Sequence, residues 1–296
     1  MSSAVEQLTS LVDSPDRYDI PYEELRDKQI EAINERFQER KDLIKLLGHR
    51  AKQAGIEEVR CLEDVVPLLF PHTAYKSYPE SFLIDEKWDR LGKWLDTVSP
   101  YRVPPQDPSK FDGIDDWLEH LMAEGFYVSC SSGTTGKSSM FVASKKDMEW
   151  CGREAPAAYA WGSGVPLAQD RRIFGLAAIA SAPRNQATGD AYTKALQDPN
   201  FERFHYPVPP ITVGSLTQMV VLRKKVADGT ITPSELETYE NESAIRQTAV
   251  DEAVGLTANA LIEARQDKIH ITGLWAGLYN VAKAVRDLGY SAKDFN

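Results

Sequence analysis

The sequence predicts an α/β protein preceded by a helical leader, and three observations carry that expectation. After residue 105, short apolar runs at 126–130, 140–143, 173–180 and 268–272 alternate with stretches of helical period. The run 173–180 is apolar without a break, as in a strand buried on both faces of a parallel sheet. Before residue 105 the periodic stretches are helical only.

Taken in order, the elements have local reasons. Between Pro21 and Leu47, the residues Tyr22, Leu25, Ile30, Ile33, Phe37, Ile44 and Leu47 recur at helical spacing among charged neighbours. They predict one long amphipathic helix, started at Asp19 or Ile20 and stopped by Gly48. A second helical stretch runs from Lys52 to Leu69 with interruptions at Gly55 and Pro67, until Pro71 and His72 impose a loop. From 75 to 95 the aromatic mass of Tyr78, Phe82, Trp88 and Trp94 is expected in a core with Leu91 and Leu95. Pro100, Pro104, Pro105 and Pro108 exclude regular helix and central strand, and place a boundary between a helical region, 1–105, and an α/β region, 106–296.

Past that boundary come a helix at 114–123, then strands 126–130 and 140–143 joined as a hairpin by a Ser/Gly/Thr loop. Ser144 and Asp147 resemble a capping box that opens a helix toward Ala160. The strand 173–180 leads into 181–186, read as a connecting loop. Thr232, Pro233 and Glu235 are an N-cap, a first-turn proline and a capping carboxylate. The helix they start continues through Ile245, Val250, Val254, Leu261 and Ile262. A strand at 268–272 and an amphipathic helix at 274–288, closed by Gly289, complete an at least partly parallel sheet flanked by helices. The sequence contains no internal repeat.

Composition narrows the function classes. The 296 residues are 42% hydrophobic and 26% charged, the balance of an ordinary globular chain. Thirty-four basic residues against forty-four acidic ones leave a net charge of −10, which argues against a broad nucleic-acid-binding surface. Cys61, Cys130 and Cys151 form no C-x-x-C pair and no cluster with the five histidines, and read as free thiols in a reducing compartment. The longest apolar stretch falls short of the roughly twenty residues a spanning helix needs, and the start carries no basic region of a secretory signal. The expected location is cytoplasmic, with no membrane span.

The informative segment is the loop after the first strand, Ser131-Ser132-Gly133-Thr134-Thr135-Gly136-Lys137. Glycines allow close backbone approach, hydroxyls donate hydrogen bonds and one ammonium adds charge, so such a loop is suited to hold an anion. A polar hairpin turn is the bland alternative. A P-loop of the G-x-x-x-x-G-K-[ST] type would need glycine at position 131, which is Ser131, and a helix where 140–143 reads as strand. Both departures count against a P-loop NTPase.

The run S-S-G-T-T-G-K resembles the phosphate-binding loop of adenylate-forming, AMP-binding enzymes, the superfamily of acyl-CoA synthetases, adenylation domains and luciferases. It is most similar to the phenylacetate-CoA ligase-like branch and to the acyl-protein synthetases of bacterial luminescence operons, in which lysine directly follows the second glycine. Most other branches place Pro and Lys two and three positions after that glycine, where this chain has Ser138 and Ser139. The order of elements from 126 onward agrees, and the helical leader with Pro71-His72-Thr73-Ala74-Tyr75 also looks like that of such ligases.

The resemblance implies part of an adenylate-forming large domain, acting as an acid–thiol ligase. A carboxylic acid would attack the α-phosphorus of ATP carried with Mg2+, giving an acyl-adenylate and pyrophosphate, and a thiol such as that of CoA would take the acyl group. Ser131, Ser132, Gly133, Thr134, Thr135, Gly136 and Lys137 would hold the β- and γ-phosphates. The family's adenine, ribose and catalytic-lysine motifs would follow Asn296, so the chain looks like the amino-terminal portion of such an enzyme, completed by a missing portion or a protein partner. A competing reading is a non-catalytic nucleotide-binding or assembly module that shares this loop.

Other residues carry weaker signals. Arg184 lies where a parallel sheet presents ligand contacts and could touch a carboxylate or a CoA phosphate, although a solvated loop is the simpler reading. His270 is expected to be a hydrogen-bonded sheet histidine, Trp275 a core aromatic, Cys130 an inert buried thiol, and Asp115 and Asp116 helix-start carboxylates.

Overall fold

In the computed structural model, residues 2–14, 16–131, 137–178 and 182–296 are described, and the chain divides into two compact units. The first comprises residues up to 131 together with 137–145, and the second takes up the chain from 146. The protein is α/β: mostly helical, with a two-stranded antiparallel sheet and a three-stranded parallel one.

The first unit begins with α1 (Ala4–Ser10) against α2 (Tyr22–Arg40). The Glu35 carboxylate accepts the N–H groups of Ala4 and Val5 at 2.8 and 2.9 Å, which ties the start of α1 to the middle of α2. The single long helix expected over 21–47 is two. At Arg40 the carbonyl accepts from both Leu43 and Ile44, the chain turns, and α3 (Lys45–Ala54) follows. Gly48 is therefore inside α3 and does not stop a helix: a Cβ there would lie 2.6 Å from the Lys41 carbonyl oxygen, so glycine is what lets the two helix ends approach. The stop is Gly55, in the left-handed region at φ 67°. Phe37, Ala51, Val59 and Leu68 close this small core.

The short helices α4 (Leu62–Val65) and α5 (Ser81–Ile84) lead to α6 (Trp88–Val98) and α7 (Ile114–Ala123). The rings of Trp88 and Trp117 stack at 5.7 Å, and Leu91, Leu95 and Leu121 are fully buried. The proline-rich segment does not separate this unit. Val103 is buried, its N–H donates to Asp96 Oδ1 at 2.9 Å, and its side chain reaches the bare Cα of Gly92 on α6. The unit thus continues through α7 to the hairpin of β1 (Tyr127–Cys130) and β2 (Met140–Ala143), with Val128 paired to Val142.

The second unit contains α8 (Lys145–Ser163) from its second residue, β3 (Arg172–Leu176), α9 (Pro183–Leu196), β4 (Phe204–His205), α10 (Val213–Ala227), α11 (Pro233–Glu263), β5 (Ile269–Gly273) and α12 (Trp275–Asp287). Its sheet has the order β4-β3-β5, all parallel, with Gly175 opposite His205 and Ile173 opposite His270. Central β3 is buried, as its apolar run predicts, but it ends at Leu176; residues 179 and 180 of that run lie outside the described residues. Phe174, Leu176, Ala258, Leu261, Val281 and Val285 form the core between the sheet, α11 and α12. Gly273 and Gly277 meet the end of β3, where a Cβ on either would fall within 3.0 Å of the Leu176 carbonyl oxygen.

Three expectations change here. Of the segment read as a loop at 181–186, residues 183–186 are the start of α9, with Pro183 in its first turn, and residue 181 lies outside the described residues. An additional helix, α10, is capped by Thr212 and Ser215. Trp275 is 83% exposed and is not a core residue; with Leu274 and Tyr279 it forms an exposed apolar group at the start of α12.

The cap of α11 is present as its sequence predicts: Thr232 Oγ1 accepts the Glu235 N–H at 3.3 Å, and Glu235 accepts the Thr232 N–H at 2.9 Å. Lys225 at the end of α10 also pairs with Glu235, and that bond, with the Thr232 bonds, holds the carboxyl at a pKa of about 2, below its ordinary 4.5. A depressed carboxylate pKa stabilises the folded state above the ordinary value, and the contribution is lost as pH falls through the folded one. Acid titration followed by the amide resonances of 232–236 is therefore expected to show the start of α11 loosening between pH 4.5 and about 2, and Glu235→Gln to abolish that dependence.

Candidate phosphate loop and neighbouring groups

Residues 131–139 connect β1 to β2, and hydrogen bonds close their base. Ser131 N–H donates to the Ser139 carbonyl at 3.0 Å, and Ser139 N–H donates to Ser131 Oγ at 2.8 Å. Ser131 thus extends the ladder beyond the Cys130–Met140 pair, while its own hydroxyl proton stays free to donate. Of the other candidate residues, Ser132, Gly133, Thr134, Thr135 and Gly136 lie outside the described residues, and Lys137 lies within them.

Lys137 is held by a residue that sequence reasoning placed only in the core. Tyr78 is fully buried, and its hydroxyl donates to the Ser138 carbonyl at 2.7 Å. Its own backbone carbonyl accepts from Lys137 Nζ, which also stands 4.2 Å from the centre of the Tyr78 ring. Trp94 meets that ring edge-on at 4.9 Å and donates from Nε1 to Ser77 Oγ at 3.0 Å, fixing the Tyr78 side chain in place. Two of the partners of Tyr78, Ser138 and Lys137, lie about sixty positions away, so the pairing leaves no local mark in the sequence.

The charges of this clasp follow from burial. Desolvation lowers the Lys137 pKa, opposed by the carboxylate of Glu80. Desolvation raises the Tyr78 phenol, so it stays a neutral donor. Cys130 is pushed up to about 12 by burial and then by Asp115, so its thiol is protonated at neutral pH and inert as a nucleophile. Asp116 accepts the Asp112 N–H at 3.1 Å, the helix-start role expected of it.

In the second unit, a cavity of about 690 Å³ opens at the carboxyl ends of β3 and β5. Arg184, from the first turn of α9, lines it. His270 is the buried sheet histidine its position predicts: Nδ1 lies 3.1 Å from the Tyr159 hydroxyl, while Nε2 is buried without a hydrogen-bond partner. Burial, then the charges of Arg171 and Arg203, lower its pKa and favour the neutral imidazole. Among the described residues no group of three or more His, Cys, Asp or Glu side chains is placed to hold a metal ion, and no helix is long and apolar enough to cross a membrane.

No family model, curated protein or solved structure matches this chain.

Proposed function

We propose that this chain takes part in the ATP-dependent activation of a carboxylic acid in the manner of an adenylate-forming enzyme, with 131–137 as the clamp on the nucleotide's phosphates. The observation that carries this reading is the setting of the S-S-G-T-T-G-K run: it sits between two antiparallel strands whose ends are tied, with a buried tyrosine holding the following lysine. A P-loop needs a helix directly after its Gly-Lys-Ser, and here β2 follows. The hairpin therefore supports the adenylate-forming resemblance over the P-loop alternative.

The residues divide the work. The Ser131–Ser139 and Tyr78–Ser138 bonds tie the two ends of the loop. Lys137 has a flexible four-carbon stem and a weak neutral acceptor in the Tyr78 carbonyl; an anionic phosphate oxygen is the stronger acceptor, so the ammonium would exchange one for the other. There it would oppose the charge that develops on departing pyrophosphate. Mg2+ would arrive with the phosphates of ATP and share that neutralisation. The acyl group would then pass to a thiol, with CoA the acceptor the resemblance implies.

The test is binding of magnesium pyrophosphate, located by amide hydrogen exchange. Slowed exchange of backbone amides within 131–139, saturating with ligand, is expected. Binding that leaves those amides unchanged would remove the clamp from this loop.

A further inference from the structure

We propose that the cavity in the second unit is a binding site for a small organic carboxylate and that Arg203 is its anion anchor. The volume, about 690 Å³, falls in the range of small-molecule sites, roughly 300–1,000 Å³, and the carboxyl ends of parallel strands are where such sites form. Arg203, just before β4, lines the cavity and is seated on two glycines. A Cβ on Gly189 would stand 2.8 Å from its Nη1, and one on Gly175 would stand 3.2 Å from its Nη2. The guanidinium occupies space that any side chain at Gly189 would contest.

That guanidinium is short of partners. Its Nε is buried with none, and Nη1 makes one long contact, 3.4 Å to Thr193 Oγ1. No carboxylate among the described residues forms an ion pair with it or with Arg184. A buried Nε–H without an acceptor is costly, and a planar two-oxygen anion is the group that matches the geometry of a guanidinium. Ile173, Ala177 and Tyr192 give the cavity apolar and aromatic lining among its polar residues, which suits an acid with a compact hydrocarbon body.

Phosphate fits less well. Pro183 has no N–H, and the N–H groups of Asn185 and Gln186 both donate to the Ala182 carbonyl, so the start of α9 offers no row of free amides. Asp190 also lines the cavity and opposes a second negative charge. The inference rests on this cavity and is independent of the loop at 131–137.

Nucleotide-free titrations of the intact chain with benzoate, octanoate and inorganic phosphate, read by calorimetry and ligand-observed NMR, test it. Benzoate or octanoate is expected to bind, phosphate to bind at least tenfold more weakly, and Arg203→Gln to weaken the carboxylate at least tenfold with the ligand-free melting temperature kept. Gly189→Ala is expected to weaken binding as well, through the displaced guanidinium, and serves where the arginine variant does not fold. Absence of binding by both carboxylates, equal binding of phosphate, or undiminished binding by both variants would overturn the proposal. Because no nucleotide is present, any of these results leaves the phosphate loop to its own test.

Discussion

Lys137→Ala is expected to lower the affinity for magnesium pyrophosphate by roughly 10- to 100-fold, the loss of one charge-assisted hydrogen bond worth about 1.5–3 kcal/mol. The ammonium is the cation of the S-S-G-T-T-G-K run, and it rests on the Tyr78 carbonyl and ring. The variant keeps the Ser131–Ser139 bonds and the Tyr78–Ser138 bond, so the hairpin and the melting temperature should survive. Calorimetric titration of both proteins decides the matter. Equal affinities would leave Lys137 as a structural pin of the hairpin and nothing more.

Trp117→Ala is expected to cost about 3–5 kcal/mol of unfolding free energy, a large share of the roughly 5–15 kcal/mol that holds a domain together. Trp117 is fully buried, stacks on Trp88 at an interplanar angle of 18°, and comes within 4.0 Å of where a Cβ on Gly92 would stand, beside Val103. Because α7 packs on β1, the same loss should also loosen the base of the loop. Urea unfolding measures it, and a change under 1 kcal/mol would mean that this aromatic layer is not the core of the first unit.

How legible these features were depended on whether their causes were local. The start of α11 was readable because Thr232, Pro233 and Glu235 satisfy one another within four residues. The hairpin and the buried strand β3 were readable from apolar runs. The break between α2 and α3 was not, since Gly48 looks like a stop and acts as a spacer against a carbonyl seven positions earlier. Pro183 is a local sign of the start of α9, set in a segment whose composition otherwise reads as loop. The two residues of β4 gave too short a pattern to read. At the candidate site, the loop could be found by composition and order, whereas Tyr78 could not: its hydroxyl donates to the Ser138 carbonyl and its own carbonyl accepts from Lys137 Nζ, residues about sixty positions away. Arg203 likewise has its meaning from Gly175 and Gly189, which only the fold brings beneath it.

The most direct measurement of the central claim is ATP–pyrophosphate exchange by the purified chain over aryl, medium-chain and long-chain carboxylic acids. Exchange is expected to require one class of acid, to need Mg2+, and to drop with Lys137→Ala. A folded chain that binds pyrophosphate elsewhere, or that hydrolyses ATP to ADP with no acid-dependent exchange, would contradict the claim.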